Sequence, residues 1–431
     1  MFATPSAETG QPPIAKPSQE GSTRTRMVLA EAAADPLGGT QRSYVNLGDS
    51  ARLALMVGPR GRGTFREQAN EMLAALKAAL AAQSQPMVVT WQTVFLKEAH
   101  HRAEFEQLQR DCFGANLPVT NYVLQAPCCG AALAMEAWAT GGKSVRVERI
   151  GPQTLSVSYD GVRWVYCGGI EPRPGLRGVH AQTLDVLEQS RAALARGGSG
   201  FNRVVRTWFY LGDITEPDGD CQRYQELNRA RTDFYENIKF NCSSAGTNGH
   251  GGVYPASTGI GMTGQGLVAS CLALETQRKD LQLVPLENPQ QTPAYAYSAR
   301  YSSKSPKFSR AVALVLGDYV STWVSGTASI VESETRHIGD AARQTEQTID
   351  NIACLIAPDN FSRHGLKGMG GSLQDMAKIR VYLKRAEDFQ ACRAVCQRRF
   401  GAVPAIYAVA DVCRPDLLVE IEGVAFFRPA K

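Results

Sequence analysis

The sequence predicts an α+β fold built from three tandem copies of one ββαβαββ unit. Three recurring features predict it: an amphipathic helix, a following strand–helix pair with one recurring look, and two closing strands. Each copy opens on a hairpin signal. The second has TLSVSYDGVRWVYCGGI (154–170), turning at Asp160-Gly161, and the third has AVALVLGDYVSTWVSGTASI (311–330), turning at Gly317-Asp318. The first offers ARLALMVGPRG (51–61) with a less clear preceding strand. The spacing predicts helices over 64–83, 180–198 and 339–358; in the last, Ala342, Thr345, Ile349 and Ile352 share a face. Strands follow over 88–98, 203–213 and 377–388, each leading to a second helix and then to two strands. The units are placed at 45–140, 145–275 and 307–431, the middle one lengthened by glycine-rich loops near 241–252, with 276–306 a linker. Residues 1–44, rich in Pro, Ser, Thr and Gly, are expected to be a disordered leader.

Composition narrows the function. Of 431 residues, 44% are hydrophobic and 20% charged, as in a globular protein with a full core. The formal charge of +5 comes from scattered basic residues, which argues against nucleic acid and suits an anionic small molecule. No apolar run of membrane-spanning length and no secretory h-region occurs, so a cytoplasmic protein without membrane attachment is expected. The 11 cysteines and six histidines show no zinc spacing, and no GxGxxG or P-loop stands in the right context; GMGG (368–371) reads as a loop. No metal or cofactor is therefore expected.

The wording of the third copy resembles the RidA (YjgF) family: WVSGTASI, then IRVYLKRAEDFQACRAVCQRRFG, VPAIYAVADV and LLVEIEGVAFF. That family has a chorismate-mutase-like unit and forms homotrimers with sites between subunits. The resemblance implies an intrachain pseudo-trimer, and so a monomer. RidA imine deaminases carry an arginine after the Pro-Ala of the penultimate strand. Here those stretches read Pro404-Ala405-Ile406-Tyr407, Pro255-Ala256-Ser257-Thr258 and Pro118-Val119-Thr120-Asn121, which disfavours imine hydrolysis. A narrower resemblance, to the chorismatases, rests on PKFSRAVAL (306–314), VSGTASI (324–330), NRARTDFY (228–235) and CRPDLLVEIEGVAF. It covers roughly residues 145–431, and the first copy looks degenerate. It implies cleavage of chorismate with release of pyruvate. Gly326, and Cys413 seven residues before Glu420, match the subtype that makes 3-hydroxybenzoate. The alternatives are hydrolysis to a dihydroxycyclohexadiene carboxylate or a RidA-like imine deaminase.

Glu420 is expected to be the acid that protonates the enolpyruvyl group, since burial on an apolar strand raises a carboxyl's pKa. Alternation puts it on the side of Leu418 and Glu422. The copies serve as a control: the equivalent positions are Val268 and Ala134, whereas a purely structural role would recur. A solvated strand glutamate is the plainer reading. Cys413 either steers the ring intermediate toward aromatisation or is a buried structural thiol. Gly326 either leaves room for the ring or serves backbone packing. Two substrate carboxylates call for forked cations. The resemblance to the RidA pattern implies that Phe308 lines the ligand site; Arg310, two residues on along a strand, and Arg380, interrupting an apolar strand, are the candidate cations. Arg229, Arg231 and Tyr235 on the second copy's helix are expected to reach across, although helix arginines are ordinarily salt-bridged.

Overall fold

The structure, a computed structural model, describes residues 26–31, 38–242, 253–297 and 304–430. Each repeat folds into a six-stranded sheet with helices on one face. The first unit runs β1 (Val28–Glu31), β2 (Gly39–Asn46), β3 (Ser50–Gly58), α1 (Phe65–Ala81), β4 (Met87–Leu96), α2 (Arg102–Phe113), β5 (Val119–Val123) and β6 (Leu133–Gly142). The second runs β7 (Arg146–Gly151), β8 (Thr154–Tyr159), β9 (Val162–Ile170), α3 (Val179–Arg196) and β10 (Val204–Gly212). A ribbon, β11 (Pro217–Asp218) with β12 (Cys221–Gln222), then leads to α4 (Arg223–Tyr235), β13 (Ala256–Met262) and β14 (Leu267–Thr276). The third runs β15 (Gln282–Leu286), β16 (Ala311–Leu316), β17 (Tyr319–Ala328), the ribbon β18 (Ile330–Val331) with β19 (Glu334–Thr335), and α5 (Ala341–Ile356). It ends with α6 (Pro358–Arg363), β20 (Met376–Leu383), α7 (Phe389–Phe400), β21 (Ala405–Val409) and β22 (Val419–Phe427).

The three sheets share one strand order: β1-β2-β3-β6-β4-β5, β7-β8-β9-β14-β10-β13 and β15-β16-β17-β22-β20-β21. In each, only the last pair is parallel, because a helix crossover joins the two strands. The unit therefore has one more leading strand than ββαβαββ. Two corrections follow. Strand β1 and most of β2 fall within the expected leader 1–44, of which 1–25 and 32–37 lie outside the described residues. Strand β15 falls within the expected linker 276–306, where it pairs with β16 from Gln282↔Val315 to Leu286↔Ala311. Both β1 and β15 are outer strands whose formation depends on a partner rather than on a strong pattern of their own. The glycine-rich loop expected near 241–252 lies mostly outside the described residues.

Each sheet buries its helix-side face against its own helices. The three inner faces meet in one central core, where Trp91 lies 5.5 Å from Trp208 and Trp164 lies 6.0 Å from Trp323. Burying an aromatic side chain of this size contributes roughly 1.5–3 kcal/mol. Backbone bonds close the ring of units: Thr263 N–H donates to Leu124 (2.8 Å), Gly261 to Asp411 (2.8 Å), and Cys128 to Tyr407 (3.0 Å). The pseudo-trimer is thus assembled within one chain.

Candidate active site

The arrangement creates three equivalent clefts between neighbouring units. A cavity of about 700 Å³ lies between units two and three, one of about 400 Å³ between units one and two, and one of about 130 Å³ between units three and one. Glu420, Val268 and Ala134 respectively stand in these clefts. Strand register confirms that the three positions are equivalent, since they pair with Tyr382, Tyr210 and Phe95 at one position of the neighbouring strand. Only the largest cleft holds the acid.

Glu420 lies on the inner face of β22 and is 4% exposed, with its side chain in the wall of the large cavity. Burial pushes its carboxyl up to about 8; Glu422 adds to the rise, and Arg206 and Arg310 oppose it. The residue is therefore an undissociated acid at neutral pH, not a solvated strand glutamate. Leu418 lies just before β22 and packs with the helix-side cluster, unlike Glu420.

Gly326 faces that carboxyl. It sits where the β17–β22 register shifts, between Val324 and Thr327, and its N–H donates to Thr258 Oγ1 of the second unit at 3.0 Å. A Cβ added there would come within 2.0 Å of Glu420 Oε1. Only a residue without a side chain leaves the acid in place, which favours the steric reading of this glycine. Cys413 lines the same cavity, where burial and the nearby Glu420 push its thiol up to about 12. It is a neutral thiol there, not a thiolate.

Arg231 reaches in from α4 and Arg310 from the approach to β16. Their guanidinium carbons lie 5.6 and 5.5 Å from the centroid of Phe308, which they flank. Arg231 is held by Ser257 (3.1 Å) and Asn228 (2.6 Å), and Arg310 by Thr292 O (2.9 Å) and Tyr297 (2.6 Å). The Nε of each is buried without a hydrogen-bond partner. Two oriented, desolvated guanidiniums with spare donors suit a ligand that brings carboxylates.

Three expected binding residues belong elsewhere. Arg380 is 1% exposed and points to the central axis, not the cleft. There it pairs with Glu136 and, at 3.0 Å, with Glu422, and it bonds Tyr210 (2.5 Å) and Thr93 (3.0 Å). Tyr235 lies one helical turn beyond Arg231, past the end of the cleft, in an aromatic cluster with Phe201, Phe240 and Tyr254. Arg229 is half-exposed and paired with Glu226. Conversely, Tyr224 and Asn228 line the cavity although they were not singled out. Positions 224, 228 and 231 share one helix face, so choosing Arg231 was signal enough to find both. Burial and the nearby Cys413 hold the Tyr224 hydroxyl well above its usual range, and Glu420 adds to the effect. Asn228 Nδ2 is another buried donor without a partner. Among the described residues, no group of three or more His, Cys, Asp or Glu side chains is arranged to hold a metal ion, and no helix is long and apolar enough to cross a membrane.

Residues 136–273 match the family described as Chorismatase FkbO/Hyg5-like, N-terminal. The chain is 33% identical over 302 residues to a 3-hydroxybenzoate synthase of Streptomyces hygroscopicus, covering 67% of this chain and 80% of that one. It is 32% identical over 284 residues to a chorismatase of Streptomyces rapamycinicus, covering 62% of this chain and 78% of the other. A crystal structure of a chorismatase superposes with a TM-score of 0.61 at 22% identity, covering 88% of this chain and all of that one, which shows the shared fold. The unit itself recurs in a RutC family protein of Pyrococcus abyssi, 31% identical over 134 residues, 29% of this chain and 94% of that protein. The chain belongs to the chorismatase family.

Proposed function

We propose that this chain converts chorismate to 3-hydroxybenzoate and pyruvate in the cleft between its second and third units. The observation that carries this reading is one buried, protonated glutamate facing a cavity that also presents two arginines, each with a buried Nε that has no hydrogen-bond partner. Chorismate brings two carboxylates for Arg231 and Arg310 and an enol ether for the acid. Glu420 gives its proton to the enolpyruvyl methylene, which makes the ether oxygen part of an oxocarbenium leaving group. The neighbouring ring hydroxyl displaces pyruvate and passes its proton to the Glu420 carboxylate. The arene-oxide-like product isomerises to the phenol, so no water is consumed. Cys413, as a thiol beside the acid, and Gly326, by leaving room for the ring, steer this outcome over hydrolysis.

The test is to incubate the purified chain with chorismate, follow pyruvate release and chromatograph the ring product. Pyruvate and 3-hydroxybenzoate are expected in equal amounts, and Glu420→Gln is expected to abolish both. A fully active Glu420→Gln variant refutes the assignment of the acid. Solvent-water oxygen in the product phenol refutes the internal displacement. A dihydroxycyclohexadiene carboxylate as the main product would make the chain a hydrolytic chorismatase instead. The ring of units closes within one chain, which supports a monomer; light scattering on the purified protein checks this.

A further inference from the structure

The first unit carries no acid in its cleft, yet it supplies a buried carboxylate to the axis where the three sheets meet. Glu136 on β6, Lys378 and Arg380 on β20, Arg206 on β10 and Glu422 on β22 are each 3% exposed or less. Glu136 takes Lys378 on one oxygen and Arg380 on the other. Glu422 receives Arg380 at 3.0 Å and Tyr382 at 3.2 Å on Oε1, and Arg206, Thr258 and Trp208 (2.9 Å) on Oε2. Glu422 lies two residues from Glu420, on the same face of β22. Three cations thus face two carboxylates, and Glu136 occupies two of those cations on the side away from the cavity.

We propose that Glu136 of the first unit is a positioning residue for Glu420: by holding Lys378 and sharing Arg380 it limits how far they neutralise Glu422, whose charge adds to burial in keeping Glu420 in its acid form. This deepens, and rests on, the reading of Glu420 as the proton donor. The titratable and charged groups near Glu420 are Glu422 on its own strand, Tyr382 on the adjacent strand β20, Arg206 from the second unit's sheet, Arg310, Cys413 and Tyr224. Those near Glu136 are Lys378, Arg380 and Tyr210. Burial would raise the Glu422 carboxyl, but Arg380, Arg206 and Lys378 hold it below its usual range, so it is ionised and repels a charge on Glu420. Removing Glu136 frees two cations toward Glu422 and weakens that repulsion.

The experiment uses the full chain without ligand. Infrared difference spectroscopy across a pH titration reads the Glu420 carboxyl band, assigned by its loss in Glu420→Gln. Glu136→Gln is expected to lower the Glu420 midpoint by about one pH unit, the size of one buried charge change at this range. Lys378→Met is expected to raise it, and Glu136→Gln/Lys378→Met to return it close to the parent. The alkaline limb of pyruvate release is expected to move with each midpoint. A midpoint unmoved in folded Glu136→Gln overturns the proposal. If that single variant does not fold, a Lys378→Met midpoint that stays or falls overturns it equally. If the midpoints move as stated while pyruvate release keeps the parent profile, the role of Glu136 stands and the reading of Glu420 as proton donor falls.

Discussion

Replacing Glu420 by Gln should stabilise the fold, and increasingly so as pH rises. The carboxyl is held at about 8 in the folded chain, against an ordinary value of 4.5. Between those two values the folded chain keeps a proton that the unfolded chain has released, so raising the pH favours unfolding. The penalty is absent below the ordinary value, grows by about 1.4 kcal/mol per pH unit, and levels off above the folded value. Glutamine has nearly the same shape and no proton to lose, so the variant escapes the penalty. Its advantage over the parent should therefore grow by about 2–3 kcal/mol between pH 6 and pH 8 and change little above that. Urea denaturation at each pH, compared at equal m, measures this. A difference that stays constant from pH 6 to pH 9 would show an ordinary, solvated carboxyl and would refute the assignment of a buried acid.

Other outcomes follow from the same geometry. Gly326→Ala should keep its thermal midpoint, because the Glu420 carboxyl end can yield, but should lose turnover on the order of 10²-fold as the acid is pushed from its place; initial rates with chorismate check it. Cys413→Ala should shift products toward the dihydroxy acid on chromatography, and an unchanged ratio removes the thiol from the mechanism. Arg231→Lys and Arg310→Lys should each raise KM about tenfold or more through loss of the forked donors, with a smaller effect on kcat.

The repeat was legible because its helices bury wide apolar faces whose spacing survives duplication. The expected spans 64–83, 180–198 and 339–358 became Phe65–Ala81, Val179–Arg196 and Ala341–Ile356. The outer strands β1 and β15 were not legible, since pairing with β2 and β16 makes them strands. Six of the nine expected site residues gather in one cavity: Glu420, Cys413, Gly326, Phe308, Arg310 and Arg231. The other three lie elsewhere for different reasons. Arg229 is paired with Glu226 one turn back on its own helix. Arg380 does interrupt an apolar strand for a polar purpose, but its partner Glu136 is 244 residues away, and no local pattern announces such a contact. Tyr235 shares a helix face with Arg231, but the cleft ends before the next turn.

Fusing the units changes what the centre of a trimer can contain. Three separate identical chains must place three copies of each residue around their axis, so one glutamate there means three like charges crowded in a dry interior. Along this chain the corresponding positions read Glu136, Ser270 and Glu422 on the closing strands, and Thr93, Trp208 and Arg380 opposite them. Each can be altered alone. A single codon change therefore touches one cleft and one side of the axis, and the chain can acquire opposite charges at places where a homotrimer could only repeat itself.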